Sequence, residues 1–171
     1  ILLYLIPIIV NRASYPSIFI STLEIIRPFH VVNRYGLFAI MTTSRPEIFL
    51  KGSYDGMEWR DYEFKWKPGK LNEAPAFVAP HQPRLDWQMW FAALSNYERN
   101  PWLIKFMIRL LQGSQPVIDL LASNPFPEKP PKYIQAVVFD YWFTNIETKE
   151  KTGNWWNREY KTPYTPILQL P

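Results

Sequence analysis

His81, Arg84 and Asp86 fall within one short stretch of the segment PHQPRLDWQMWFAAL, residues 80–94. A histidine beside a carboxylate is the beginning of a general base with its orienting partner. A hydrolase built on His81 and Asp86 also needs a serine hydroxyl, and no Gly-x-Ser-x-Gly elbow occurs in the chain. The same residues suit a structural lock. Arginine offers five donors to loop carbonyls, and Asp86 is placed to cap the helix that follows. Metal chemistry has less behind it: His30 is the other histidine, and no His-x-x-His or carboxylate cluster joins the two. Neither a metal nor a cofactor is expected. Asn33 and Arg34, in the run NRYG, offer a phosphate or carboxylate contact, or an internal ion pair at a sheet rim. Trp155 and Trp156 stand near Arg158 and suit a contact surface, a membrane-interface belt or ordinary core.

These residues need elements to hold them. Trp87, Trp90, Phe91 and Leu94 recur at helical i, i+3, i+4, i+7 spacing, which predicts a helix that Asp86 caps. Asn100-Pro101 reads as an N-cap with proline at the first helical position. The helix that follows is predicted to bury Leu103, Phe106, Met107 and Leu110 and to stop at Gly113. A short helix is expected after Ser114. Residues 47–69 predict a hairpin turned at Asp55-Gly56, whose return strand sets Tyr62, Phe64 and Trp66 against Glu63, Lys65 and Lys67. Residues 133–144 predict a long strand. NPFPEKPPK is loop, ETKEKTG a solvated turn, and 154–160 either strand or helix. YGLFAIM, 35–41, is expected to be a buried strand. The order predicts the α+β class: a mainly antiparallel sheet or sandwich-like core with a helical insertion packed on it.

Bulk properties narrow the functions. A chain of 171 residues can bury a sizeable core, and 17% aromatic residues make ring packing prominent there. The net charge of +4 comes from scattered cations interleaved with acids, so a nucleic-acid partner is not expected. There is no cysteine, which excludes disulfides and thiol catalysis in this region. The first ten residues, ILLYLIPIIV, are apolar but shorter than the roughly 20 needed to span a bilayer. They are expected to be the end of a membrane helix, with residues 1–27 comprising that end and a connector. A buried strand or helix of a soluble domain is the alternative.

The blocks NRYGLFAIMTTSRPEI, GSYDGMEWRDYEFKWKPG, PHQPRLDWQMWFAAL, NPFPEKPP and TGNWWNREY, in this order, resemble the C-terminal region of the lipase maturation factor family. The resemblance implies a C-terminal domain over residues 28–171 that follows the last spans of a multi-pass membrane protein. It implies a chaperone-like role: contact with a client protein, a secreted lipase or another client, during folding or assembly, with no reaction catalysed on a small substrate. It places the protein in the endoplasmic reticulum membrane in animals, or in a bacterial or plastid membrane otherwise. Separately, GSYDGMEW resembles the turn-and-tryptophan hairpin of galactose-binding-like sandwiches, which implies a module reading a glycan or lipid head group.

Overall fold

Alternation of apolar side chains builds the centre of this protein. A computed structural model describes residues 42–78 and 83–171. Of these, Ser44–Pro171 form one compact unit. The expected membrane-helix end, the connector and the strand at 35–41, together with His30, Asn33, Arg34 and His81, lie outside the described residues.

Strand β1 is Arg45–Ser53 and β2 is Arg60–Asp61. Helix α1 covers Arg84–Ala93, α2 Pro101–Leu111 and α3 Gln115–Ile118. Strand β3 is Tyr133–Phe143, helix α4 Ile146–Thr152, strand β4 Trp156–Pro163 and strand β5 Leu168–Gln169. The sheet is antiparallel throughout, in the order β2-β1-β3-β4 with β5 also on β3. Since β1 occupies one edge of β3 along Tyr133–Tyr141, β4 and β5 run end to end along the other. Thr165 joins them: its amide and that of Tyr164 donate to the Ala136 carbonyl, and Thr165 Oγ1 accepts from the Ala136 amide at 3.0 Å. The class is α+β, and the described residues hold one sheet with helices rather than two packed sheets.

The pleat sends Ile48, Leu50, Ile134, Ala136 and Val138 to one face, where they meet Met89 and Ala92 of α1 and Leu103, Phe106, Met107 and Leu110 of α2. Helix α2 matches its sequence pattern. Pro101 opens it, and Gly113, at φ 67°, closes it with a double turn in which the Gly113 and Ser114 amides donate to Leu110 and Arg109 carbonyls. The opposite face carries Phe49, Val137, Tyr141 and Trp156, with Leu71, Phe139 and Trp155 packed against them.

Three expectations are corrected. First, Asp86 does not cap α1 but turns inward with Met89 and Ala92, while Phe91 and Leu94 are exposed. Both faces of this helix are apolar, so spacing alone does not choose between them. Its rotation is set by Asp86, whose carboxylate bonds outside the helix instead of capping it. Second, the hairpin's return strand has only two residues. After a last rung from the Tyr62 amide to the Leu50 carbonyl, the chain leaves β1 and bridges Ser123 through Glu63. Trp66 is then exposed and Lys67 buried, the reverse of the predicted alternation. Third, residues 146–152 are a helix rather than a turn. Asn145 Oδ1 accepts from the Thr148 amide at 2.7 Å, and Gly153, at φ 73°, ends it. With no apolar face, only these two caps announce it.

Candidate functional site

The face of the sheet turned away from α1 and α2 is aromatic and crossed by a strap, residues 65–73. Four anchors hold the strap. Asp86 Oδ1 accepts from the Trp66 and Lys67 amides, both at 2.9 Å. The Tyr141 hydroxyl donates to the Gly69 carbonyl at 2.8 Å. The Trp155 and Trp156 amides donate to the Leu71 carbonyl at 2.8 and 3.0 Å. Trp156 Nε1 donates to the Glu73 carbonyl at 2.9 Å. Strap backbone that would otherwise lie over an apolar face unpaired is thereby satisfied.

Under the strap lies a buried ion pair. Lys67 Nζ sits 3.4 Å from Glu47 Oε2, with side chains 5% and 1% exposed. Glu47 Oε1 accepts from Arg45 Nε at 2.9 Å, and the Arg45 guanidinium lies 5.2 Å over the Trp156 ring. Lys67 also stands 4.2 Å over the Phe49 ring and donates to the Pro68 carbonyl at 3.2 Å. Burial pushes the Lys67 ammonium below its ordinary range, and Glu47 opposes that push. Burial likewise raises the Tyr141 hydroxyl, with the Arg158 hydrogen bond working the other way.

Between the strap and β2 opens a cleft of about 290 Å³. Its lining includes Phe49, Tyr62, Phe64, Lys67, Leu71 and Arg158. Arg158 donates to the Tyr141 hydroxyl at 3.2 Å, and its guanidinium stands 4.8 Å over Phe139 and 5.6 Å over Phe49. The carboxylates of Asp61 and Glu63 also line the cleft, so it sets cations on aromatic faces with acids at their side.

The residues singled out from sequence are distributed unevenly over this arrangement. Asp86 and Trp156 are strap anchors, joined through Lys67, Glu47 and Arg45. Trp155 is half-buried, with Lys149 Nζ 3.1 Å over its ring. Trp87 and Trp90 form an aromatic cluster with Phe91, ring centroids 5.1–5.5 Å apart, on the side of α1 away from the sheet. Arg84 opens α1 and is exposed. Missed from sequence were Glu47, Lys67, Tyr141 and Arg158. Each sits in a strand or strap where its type reads as ordinary alternation, so no local signal marks them. Among the described residues no group of three or more His, Asp or Glu is placed to hold a metal ion. None of the described helices is long and apolar enough to cross a membrane.

Residues 31–166 match the family model described as "Lipase maturation factor C-terminal domain". The chain belongs to the lipase maturation factor family. It is 46% identical to lipase maturation factor 2 of Gallus gallus over 94% of this chain and 23% of that protein. To lipase maturation factor 2 of Homo sapiens it is 46% identical over 82% of this chain and 20% of that protein. To lipase maturation factor 1 of Mus musculus the identity is 37%, over 96% of this chain and 30% of that protein. This lipase maturation factor domain therefore spans a third or less of the length of these relatives. No solved structure matches it. The strap, its anchors and the cleft all lie within the matched residues.

Proposed function

We propose that this chain is the client-contacting domain of a membrane-bound maturation factor. It assists the folding or assembly of secreted lipases, or of other client proteins, by protein–protein contact and without catalysing a reaction. In this reading residues 28–171 are the C-terminal contacting domain, and residues 1–27 are the end of a membrane helix plus a connector. Its compartment is the endoplasmic reticulum membrane in a eukaryote.

Family membership supports the role, and the observation that carries the contact reading is an apolar tip at the β3–β4 connection. Trp142, Phe143 and Ile146 are 47%, 57% and 78% exposed at adjoining positions. Polar α4 follows directly, with Glu147, Lys149, Glu150 and Lys151 beside them. Large apolar side chains left exposed along one short stretch of chain, beside polar ones, suit a protein contact surface. Against the hydrolase reading, the Asp86 carboxylate is engaged by two strap amides. Against the glycan-binding sandwich stands the one sheet of the described residues, with α1 and α2 packed on a face of it.

The test is a triple substitution, W142S/F143S/I146S, in the full-length protein expressed with a secreted lipase. Co-precipitation of the lipase and secreted lipase activity are expected to fall together while the protein stays folded. Full capture and activity in the triple variant would sink the contact role of this tip.

A further inference from the structure

Arg158 is the cation of the cleft that no ion pair neutralises. Lys67 faces Glu47, Lys70 faces Glu63 and Glu73, and the rim pair Lys51–Asp61 closes at 3.1 Å. Among the described residues, no carboxylate forms an ion pair with Arg158. Its position is nevertheless defined. The guanidinium rests over Phe139 and Phe49, and one donor is given to the Tyr141 hydroxyl. Tyr141 is itself fixed by its bond to the Gly69 carbonyl and stacks on Phe49 with centroids 5.6 Å apart. A guanidinium held over aromatic rings with donors to spare is preorganised for a planar, two-oxygen acceptor.

We propose that this cleft receives an acidic side chain of a partner polypeptide, with Arg158 as the carboxylate receptor and the aromatic surface as the seat for a neighbouring apolar side chain. Charge complementarity names the acid: the cleft lining sets Lys67, Lys70 and Arg158 against Asp61 and Glu63, and Arg158 is the cation among them that pairs with no carboxylate. Size names the source. At about 290 Å³ the cleft is at or below the lower end of small-molecule pockets, roughly 300–1,000 Å³, and suits one or two side chains rather than a cofactor. Tyr160, 53% exposed and edge-on to Phe139 at 5.6 Å, extends the aromatic surface beyond the cleft and supplies room for the next residue. The proposal rests on the reading of this chain as a protein-contact domain and adds the chemistry of one contact, made by residues other than Trp142, Phe143 and Ile146.

The test follows the Nε–Hε resonance of Arg158 in the full chain, labelled with ¹⁵N-arginine and held in detergent micelles. The resonance is identified by its absence from R158K. The probes are the peptides acetyl-Phe-Glu-Phe-amide and acetyl-Phe-Gln-Phe-amide, with inorganic phosphate as a third arm. The glutamate peptide is expected to shift the resonance saturably, and the glutamine peptide to bind at least about tenfold more weakly, as loss of a charged hydrogen-bond partner implies. F139L, which leaves Arg158 in place but removes the ring beneath it, is expected to weaken binding about threefold. No saturable shift, or equal binding of the two peptides, overturns the proposal. Phosphate binding as tightly as the glutamate peptide overturns it too, by making the cleft a receptor for small anions. No lipase enters this assay, so a failure here leaves the capture experiment on the tip to be judged by itself.

Discussion

Asp86 holds Lys67 by its backbone: Asp86 Oδ1 accepts a 2.9 Å hydrogen bond from the Lys67 amide, and the Lys67 side chain then passes beneath the strap to Glu47. One carboxylate thus settles two things at once. It fixes the rotation of α1, and it ends the β1–β2 hairpin by drawing the chain across the sheet face.

Replacing that carboxylate is expected to loosen both. Asp86→Ala leaves the Trp66 and Lys67 amides without their acceptor, and hydrogen bonds to charged groups contribute about 1.5–3 kcal/mol each. The expected loss is on the order of 3 kcal/mol in denaturant unfolding. Asp86→Asn keeps an oxygen acceptor at the same place and should lose less than half as much. Equal losses in the two variants would show that the amides do not depend on that oxygen.

The Lys67–Glu47 pair makes a prediction about pH. Breaking a buried pair from one side strands the other charge, so Lys67→Met should cost about 3 kcal/mol near neutrality. E47Q/K67M should recover part of that cost. Burial holds the folded-state pKa of Lys67 below its ordinary 10.5. Between the two values the unfolded chain binds the extra proton, so this group's contribution to stability rises with pH and is complete above 10.5. It is lost as pH falls through the folded-state pKa. The stability gap between the wild type and K67M should therefore widen as pH climbs toward 10.5. Denaturant midpoints of both proteins at a series of alkaline pH values check this, and a constant or narrowing gap would contradict it.

Gly52 makes a third prediction through space rather than conformation. A Cβ there would meet Phe126 Cζ at 2.8 Å and Pro131 Cγ at 3.1 Å, with Phe126 Cε2 also in its way. Phe126 is buried and anchors the proline-rich loop before β3, edge-on to Tyr54 with centroids 5.0 Å apart. Overpacking of this kind costs about 1–3 kcal/mol. G52A should fall in that range in the wild-type background and cost measurably less when Phe126 is leucine. A double-mutant cycle with no coupling would mean that the strand, not the ring, limits this position.

Much of the architecture can be read from short-range pattern. The strand at 133–143 follows from its run of β-branched and aromatic residues, and α2 from its proline start, apolar stripe and glycine stop. These signals are local, because a helix or strand in contact with a core must show its period in its own residues. Membership of the lipase maturation factor family is likewise legible in the order of the blocks from NRYG to NWWNREY.

The strap is different. The alternation of Tyr62, Phe64 and Trp66 describes a return strand well, yet the chain leaves the sheet at Tyr62 because Asp86, about twenty residues onward, offers its amides a better-placed acceptor. The same bond decides which apolar face of α1 is core. Arg158 looks like one more outward charge on a strand until Phe139, Phe49 and Tyr141 are brought under it from two neighbouring strands. By itself the sequence determined the long strand β3, helix α2, the class and the family, since these depend on residues close together in the chain. Only the tertiary structure decided which carboxylate pairs with which amide, which lysine is buried and which arginine is left with its charge open. Those outcomes are competitions between distant partners, and the winner is chosen by three-dimensional proximity.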